Sequence, residues 1–181
     1  IEFPDTRPYL YAKDNVIEGN EIFRVMDGNM GDGNGIYVSG AGDGNVVRGN
    51  YIHHLRGDAA SALRTDDAQW NVLFEKNVIY HCTGLGILIK GDNSALNNFI
   101  VNQQECFFNS FSNTVYLSVR GGPNTNTVIQ RNMYVQIDEP HHPRFYEFAT
   151  AGSQDAVEVD SMDVNSNLYW WSGHQSEVGD Y

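Results

Sequence analysis

A net charge of −12 over 181 residues, from 23 acidic and 11 basic side chains, argues against nucleic acid and against anionic membranes as partners, because both call for a basic face. No run approaches the roughly 18 apolar residues of a membrane-crossing helix. The length suits one domain with its own core, and the acidity by itself confers solubility.

Residues 1–14 carry Pro4, Pro8 and two tyrosines and predict an extended lead-in. A phrase then begins and returns. Asn15-Val-Ile-Glu-Gly-Asn20 comes back as Asn45-Val-Val-Arg-Gly-Asn50, as Asn71-Val-Leu-Phe-Glu-Lys-Asn77, as Asn97-Asn-Phe-Ile-Val-Asn102, as Thr127-Val-Ile-Gln-Arg-Asn132 and as Val164-Asn-Ser-Asn167. The closing asparagines stand 30, 27, 25, 30 and 35 residues apart. A period in this range signals a repeat array. Three residues before each closing Asn stands Ile17, Val47, Phe74, Phe99, Ile129 or Val164; two after it stands Ile22, Ile52, Ile79, Gln104, Tyr134 or Tyr169. These phrases are short, β-branched and punctuated by Gly and Asn, so each repeat is a few short strands and not a helix pair.

Between the phrases, Asp27 to Gly35 alternates Asp, Asn and Gly in the manner of a calcium loop, yet its spacing departs from the EF-hand pattern. A Gly/Asn turn leading into the strand Gly35–Ser39 is the expectation. Calcium is the one cofactor left open, and none is required. Counting back from each following phrase places Val38, Arg64, Lys90 and Arg120 in one column and Gly40, Asp66, Asp92 and Gly122 in another. Offsets of two share a strand face, so cations are expected beside carboxylates. Cys82 and Cys106 fall near one corner of adjacent coils, either bridged or as free interior thiols. His54 and His81 likewise share a corner, whereas His141 and His142 stand beside prolines, and no third ligand for zinc is evident. After Asn132 the pattern loosens, with a long insertion before the last phrase.

An Asn at the same corner of every coil has a physical reason. Stacked coils lie about 4.8 Å apart, so equivalent amides can hydrogen-bond along the stack. With that ladder the chain resembles the right-handed parallel β-helix superfamily, pectate-lyase-like and carbohydrate-active, whose coils stack three short sheets. The ending Asn165-Ser-Asn-Leu-Tyr-Trp-Trp171 resembles a strand seen in many of its members. The fold class expected is all-β, a single right-handed parallel β-helix of about six coils spanning residues 1–181. Six coils are few, and neither end reads as a cap, so we expect a piece of a longer protein.

The resemblance implies a polysaccharide or oligosaccharide partner and an extracellular or periplasmic protein; oligomeric state is left open. Three readings of the charged columns follow. In the first, a glycoside hydrolase, carboxylates one coil apart sit at about the 5 Å of a retaining pair, so Asp66 and Asp92 are acid and base or nucleophile. Asp67 stands in reserve, while Arg64 and Arg120 bind substrate. In the second, a lyase, Lys90 takes a proton beside a uronic acid with Arg120 close by. In the third, a non-catalytic solenoid binds glycan or is purely structural, with Trp70 either a sugar platform or a packed turn residue. A salt-bridge ladder among the same charges is the plainest alternative.

Overall fold

The computed structural model describes residues 7–25, 33–57, 60–67, 69–103, 115–120, 124–137, 144–149 and 161–172. After a short 3-10 turn, Arg7–Tyr9, the chain winds through six coils. The first holds β1 (Val16–Glu18), β2 (Glu21–Phe23) and β3 (Asn34–Val38); the second β4 (Val46–Arg48), β5 (Tyr51–His53) and β6 (Ser61–Thr65). The third holds β7 (Leu73–Glu75), β8 (Val78–Tyr80) and β9 (Leu85–Lys90), and the fourth β10 (Ser94–Leu96), β11 (Phe99–Val101) and β12 (Val115–Arg120). The fifth contributes β13 (Val128–Gln130), β14 (Met133–Gln136) and β15 (Arg144–Ala149), and the sixth β16 (Asp163–Asn165) and β17 (Leu168–Trp171).

Every strand pairs in parallel with its counterpart one coil away, giving three sheets. Sheet 1 runs β1-β4-β7-β10-β13-β16, sheet 2 runs β2-β5-β8-β11-β14-β17 and sheet 3 runs β3-β6-β9-β12-β15. This is the all-β parallel β-helix that the repeat implies. Its core is a set of like-on-like columns. Val47, Phe74, Ala95 and Ile129 stack inside sheet 1, and Ile52, Ile79, Ile100 and Tyr134 inside sheet 2, all fully buried. Leu63, Ile87 and Leu117 do the same inside sheet 3.

The corner between sheets 1 and 2 has two residues in every coil. Its first residue takes the left-handed conformation, at Gly19, Gly49, Lys76, Asn97, Arg131 and Ser166. Only two of these are glycine, so four coils bear the modest cost of a left-handed side chain. The second residue is always Asn, and it turns inward. Asn77 Nδ2 donates to Asn98 Oδ1 at 3.0 Å and to the Val47 carbonyl at 3.0 Å, while its own Oδ1 accepts from Asn50 N at 3.1 Å. Similar links run Asn20–Asn50, Asn98–Asn132 and Asn132–Asn167. A buried amide with each polar atom satisfied is stable, and the same amide unpaired is expensive.

The ladder corrects one expectation. The fourth rung is Asn98, not Asn102, because β10 pairs with β7 as Ser94↔Leu73 and Leu96↔Glu75. Ala95 and Ile100 therefore fill the inner positions that Phe99 and Gln104 were assigned; Phe99 faces outward, and Gln104 lies outside the described residues. Asn102 instead occupies the next corner, where its Oδ1 accepts from Ile137 N at 2.7 Å.

Candidate functional site

Sheet 3 ends in turns of unequal length, and those lengths decide which charges meet. Seven residues, 66–72, link β6 to β7, but only three, 91–93, link β9 to β10. The short turn needs Gly91, whose φ is +79° and where a Cβ would stand 2.9 Å from the Gln69 carbonyl. Two buried amides stitch the turns together. Asn93 Nδ2 donates to the Lys90 carbonyl at 2.8 Å and its Oδ1 accepts from Val72 N at 2.8 Å. Gln69 Oε1 accepts from Ala41 N at 2.9 Å, fixing the same turn to the coil before it.

Within sheet 3, Arg64 pairs with Leu88 on one side and Tyr37 on the other, while Lys90 pairs with Arg120. The expected cation column is therefore split: Arg64 lies two positions along from the Lys90 rung. Asp66, just past the end of β6, comes to stand against Lys90. The carboxylate column is split as well. Counting back from the Asn phrases fails because the turn after β9 has three residues where the turn after β6 has seven.

The resulting cluster contains Tyr37, Arg64, Asp66, Asp67 and Lys90. The Asp66 carboxylate receives four donors: Tyr37 Oη at 2.9 Å, an Arg64 guanidinium nitrogen at 2.5 Å, its neighbour's Asp67 N at 2.9 Å and Lys90 Nζ at 3.1 Å. Lys90 Nζ also donates to Asp67 Oδ1. Although neighbours on a strand point apart, residues 66 and 67 have left the strand, so both reach one ammonium. The Arg64 guanidinium lies over the Tyr37 ring, 5.3 Å from its centre. Exposure is graded: the Asp66 side chain is 10% exposed, that of Lys90 32% and that of Asp67 79%.

Burial alone would raise the Asp66 carboxyl, but hydrogen bonds from Lys90 and Tyr37, with the charge of Arg64, outweigh it and hold the group below the usual carboxylate range. Partial burial would likewise lower Lys90, yet hydrogen bonds to Asp67 and Asp66 outweigh it and raise the ammonium above its ordinary value. Asp66 is thus a fixed anion and Lys90 a fixed cation at neutral pH.

Asp92 belongs to a different set. Its carboxylate accepts from Asn126 N at 3.0 Å and Asn126 Nδ2 at 3.2 Å, and its carbonyl accepts from Asn71 N at 2.7 Å. It is thus level with Asn71, five residues beyond Asp66 around the coil, and is not the partner expected for Asp66. Trp70 is half-buried in the same turn, its carbonyl accepting from Gln69. The Arg120 side chain lies outside the described residues. Tyr37 was not anticipated; reading the register from the strand Ile36–Val38, and not from the Asn phrase, would have placed it beside Arg64.

Elsewhere, His54 and His81 do share a corner, their rings 5.1 Å apart, and burial holds His54 below the ordinary imidazole value. No three His, Cys, Asp or Glu side chains among the described residues could hold a metal together. Residues 27–32 of the Asp27 loop, Cys106, His141 and His142 fall outside the described residues. Cys82 is a buried free thiol that burial pushes up to about 12, so it is inert as a nucleophile. The outer side chains Leu88 and Ser118 are buried, 4% and 0% exposed, so the sheet 3 face is closed at its middle and open at the charged edge.

No protein-family model matches this chain, and neither does any curated protein or solved structure. The fold therefore rests on the sheet topology itself, and no family is assigned.

Proposed function

We propose that the protein binds an extended, neutral polysaccharide at the charged edge of sheet 3 without cleaving it. The observation behind this is the closed ionic balance of the cluster. Two cations, Arg64 and Lys90, meet two anions, Asp66 and Asp67, and each is held by the other. Hydrolysis by a carboxylate pair needs one member to keep a proton, and four donors keep Asp66 ionised. Elimination needs a neutral amine, and two carboxylates keep Lys90 charged. A cluster of no net charge in a chain of −12 also offers nothing to a polyanion.

What it does offer suits sugar hydroxyls. The Asp67 carboxylate accepts, the Lys90 ammonium donates, and the Tyr37 ring, 52% exposed, supplies apolar surface. Because the ion pairs already fix these groups, little rotamer freedom is lost when ligand arrives. On this reading Arg64 orients Asp66, and the protein works outside the cytoplasm or in a periplasm.

The test combines binding with product analysis on a panel of neutral and acidic polysaccharides. We expect retention on a neutral polymer, weakened at least tenfold by Lys90→Met and by Asp67→Ala, with no new reducing ends. Reducing ends that vanish in Asp66→Asn would establish a hydrolase instead. An ultraviolet-absorbing unsaturated product that depends on Lys90 would establish a lyase.

A further inference from the structure

The outer faces of sheets 1 and 2 differ most in charge. One outward row of sheet 1 is Glu18, Arg48, Glu75, Leu96, Gln130 and Asn165, with Glu18 and Arg48 paired at 2.6 Å; the other is Val16, Val46, Leu73, Ser94, Val128 and Asp163. Sheet 2 presents almost no charge. Since Ile52, Ile79 and Ile100 point into the core, the residues on either side of each point out. One outward row is Tyr51, Val78, Phe99, Met133 and Leu168, between 37% and 54% exposed. Phe23 and Trp170, each 48% exposed, stand at the two ends of the second row. Glu21 at the margin is the only carboxylate on either row, and neither holds Lys or Arg.

We propose that this face packs against the same face of a second copy of the chain. Area is the first argument. At roughly 200 Å² per large side chain, the seven exposures leave about 600 Å² of apolar surface. That reaches the upper end of the largest patch on a typical monomer, about 300–600 Å², and approaches the ~800 Å² per partner of a standard interface. Half-buried Tyr80 and Val135 add to it.

Charge is the second argument. A face whose one carboxylate, Glu21, stands at the margin against His53 brings few like charges together when turned on itself. Ring orientation is the third. Phe23 and His53 stack with planes 4° apart, and Tyr51 covers His53 at 4.3 Å. At this end of the face the rings of Phe23, His53 and Tyr51 thus cover one another. Sugar rings need exposed faces; another sheet packed at about 10 Å needs interdigitating edges.

Sedimentation of the chain up to about 100 μM, where micromolar association is complete, tests this directly. We expect a dimer that Phe99→Glu and Val78→Glu each weaken at least 100-fold while melting as the parent does. Gln130→Glu on sheet 1 should leave it intact. A parent chain monomeric throughout that range, or a dimer indifferent to Phe99→Glu, overturns the proposal. Neither result bears on glycan binding at sheet 3.

Discussion

Two corners of this solenoid obey opposite rules. Between sheets 1 and 2 every coil spends two residues, one left-handed and one Asn, and the same hydrogen bonds recur from Asn20 to Asn167. Between sheets 3 and 1 the link is seven residues at 39–45, seven at 66–72 and three at 91–93. The first corner is closed by a buried side chain that must meet its equivalent above and below, so its length cannot drift. The second is closed by whatever amide the turn can supply, Asn45, Gln69 or Asn93, and its length is free. Function, as proposed here, sits at the free corner, where a change in length moves a charge without disturbing the core.

That contrast is broken most severely by adding a residue. A glycine inserted between Asn77 and Val78 should shift the register of the third coil and turn its apolar set outward. Loss of more than about 4 kcal/mol, or no cooperative melting, is expected. The same insertion between Asp67 and Ala68 should cost no more than about 1 kcal/mol. Equal costs by denaturant titration would remove the distinction.

Asn98→Ala comes next, at about 3 kcal/mol. It strips the Phe74 carbonyl and the Asn77 amide of buried partners and interrupts the ladder to Asn132. Asn102→Ala, which loses the bond from Ile137 N, should cost less than half as much. A reversed order would restore Asn102 as the rung.

At the free corner, Asp66→Asn should cost about 2 kcal/mol by removing the carboxylate that meets Arg64 and one of the two that hold Lys90. Asp92→Asn should change stability by no more than about 0.5 kcal/mol, since Asn126 lies at an exposed site. Asp66, lowered on folding, contributes stability that is complete above the ordinary carboxylate value near 4 and is lost as pH falls through its folded value. Lys90, raised on folding, contributes below its ordinary value near 10.4 and loses that contribution as pH rises past its folded value. Melting curves of Asp66→Asn should therefore show a flatter acid limb than those of the parent chain.

The fold was legible because its strongest constraint is written in single residues. An Asn flanked by Ile17 and Ile22, or by Phe74 and Ile79, marks the corner and both inner positions at once. Even Gln104, the one exception, came from a doubled asparagine: Asn97 and Asn98 fill the corner, and Asn102 merely imitates it five positions from Asn97. The candidate site was half legible. Arg64, Asp66, Asp67 and Lys90 were singled out and do converge, but they were grouped by a count that ran across a corner of variable length. Hence Asp92 was placed beside Asp66, and Tyr37 went unnoticed. Nothing local in Gly91-Asp-Asn93 announces a three-residue turn; only the meeting of Asn93 with Val72 and Lys90 in the fold reveals it.

Strand register sets Asp66 against Lys90 and away from Asp92. Carbon-detected NMR titration of the Asp66 carboxyl in the parent chain, Lys90→Met and Asp92→Asn measures this most directly. We predict a midpoint below the usual carboxylate range that rises on Lys90→Met and stays put on Asp92→Asn. A raised midpoint that shifts when Asp92 is neutralised would show two coupled carboxylates and contradict the account.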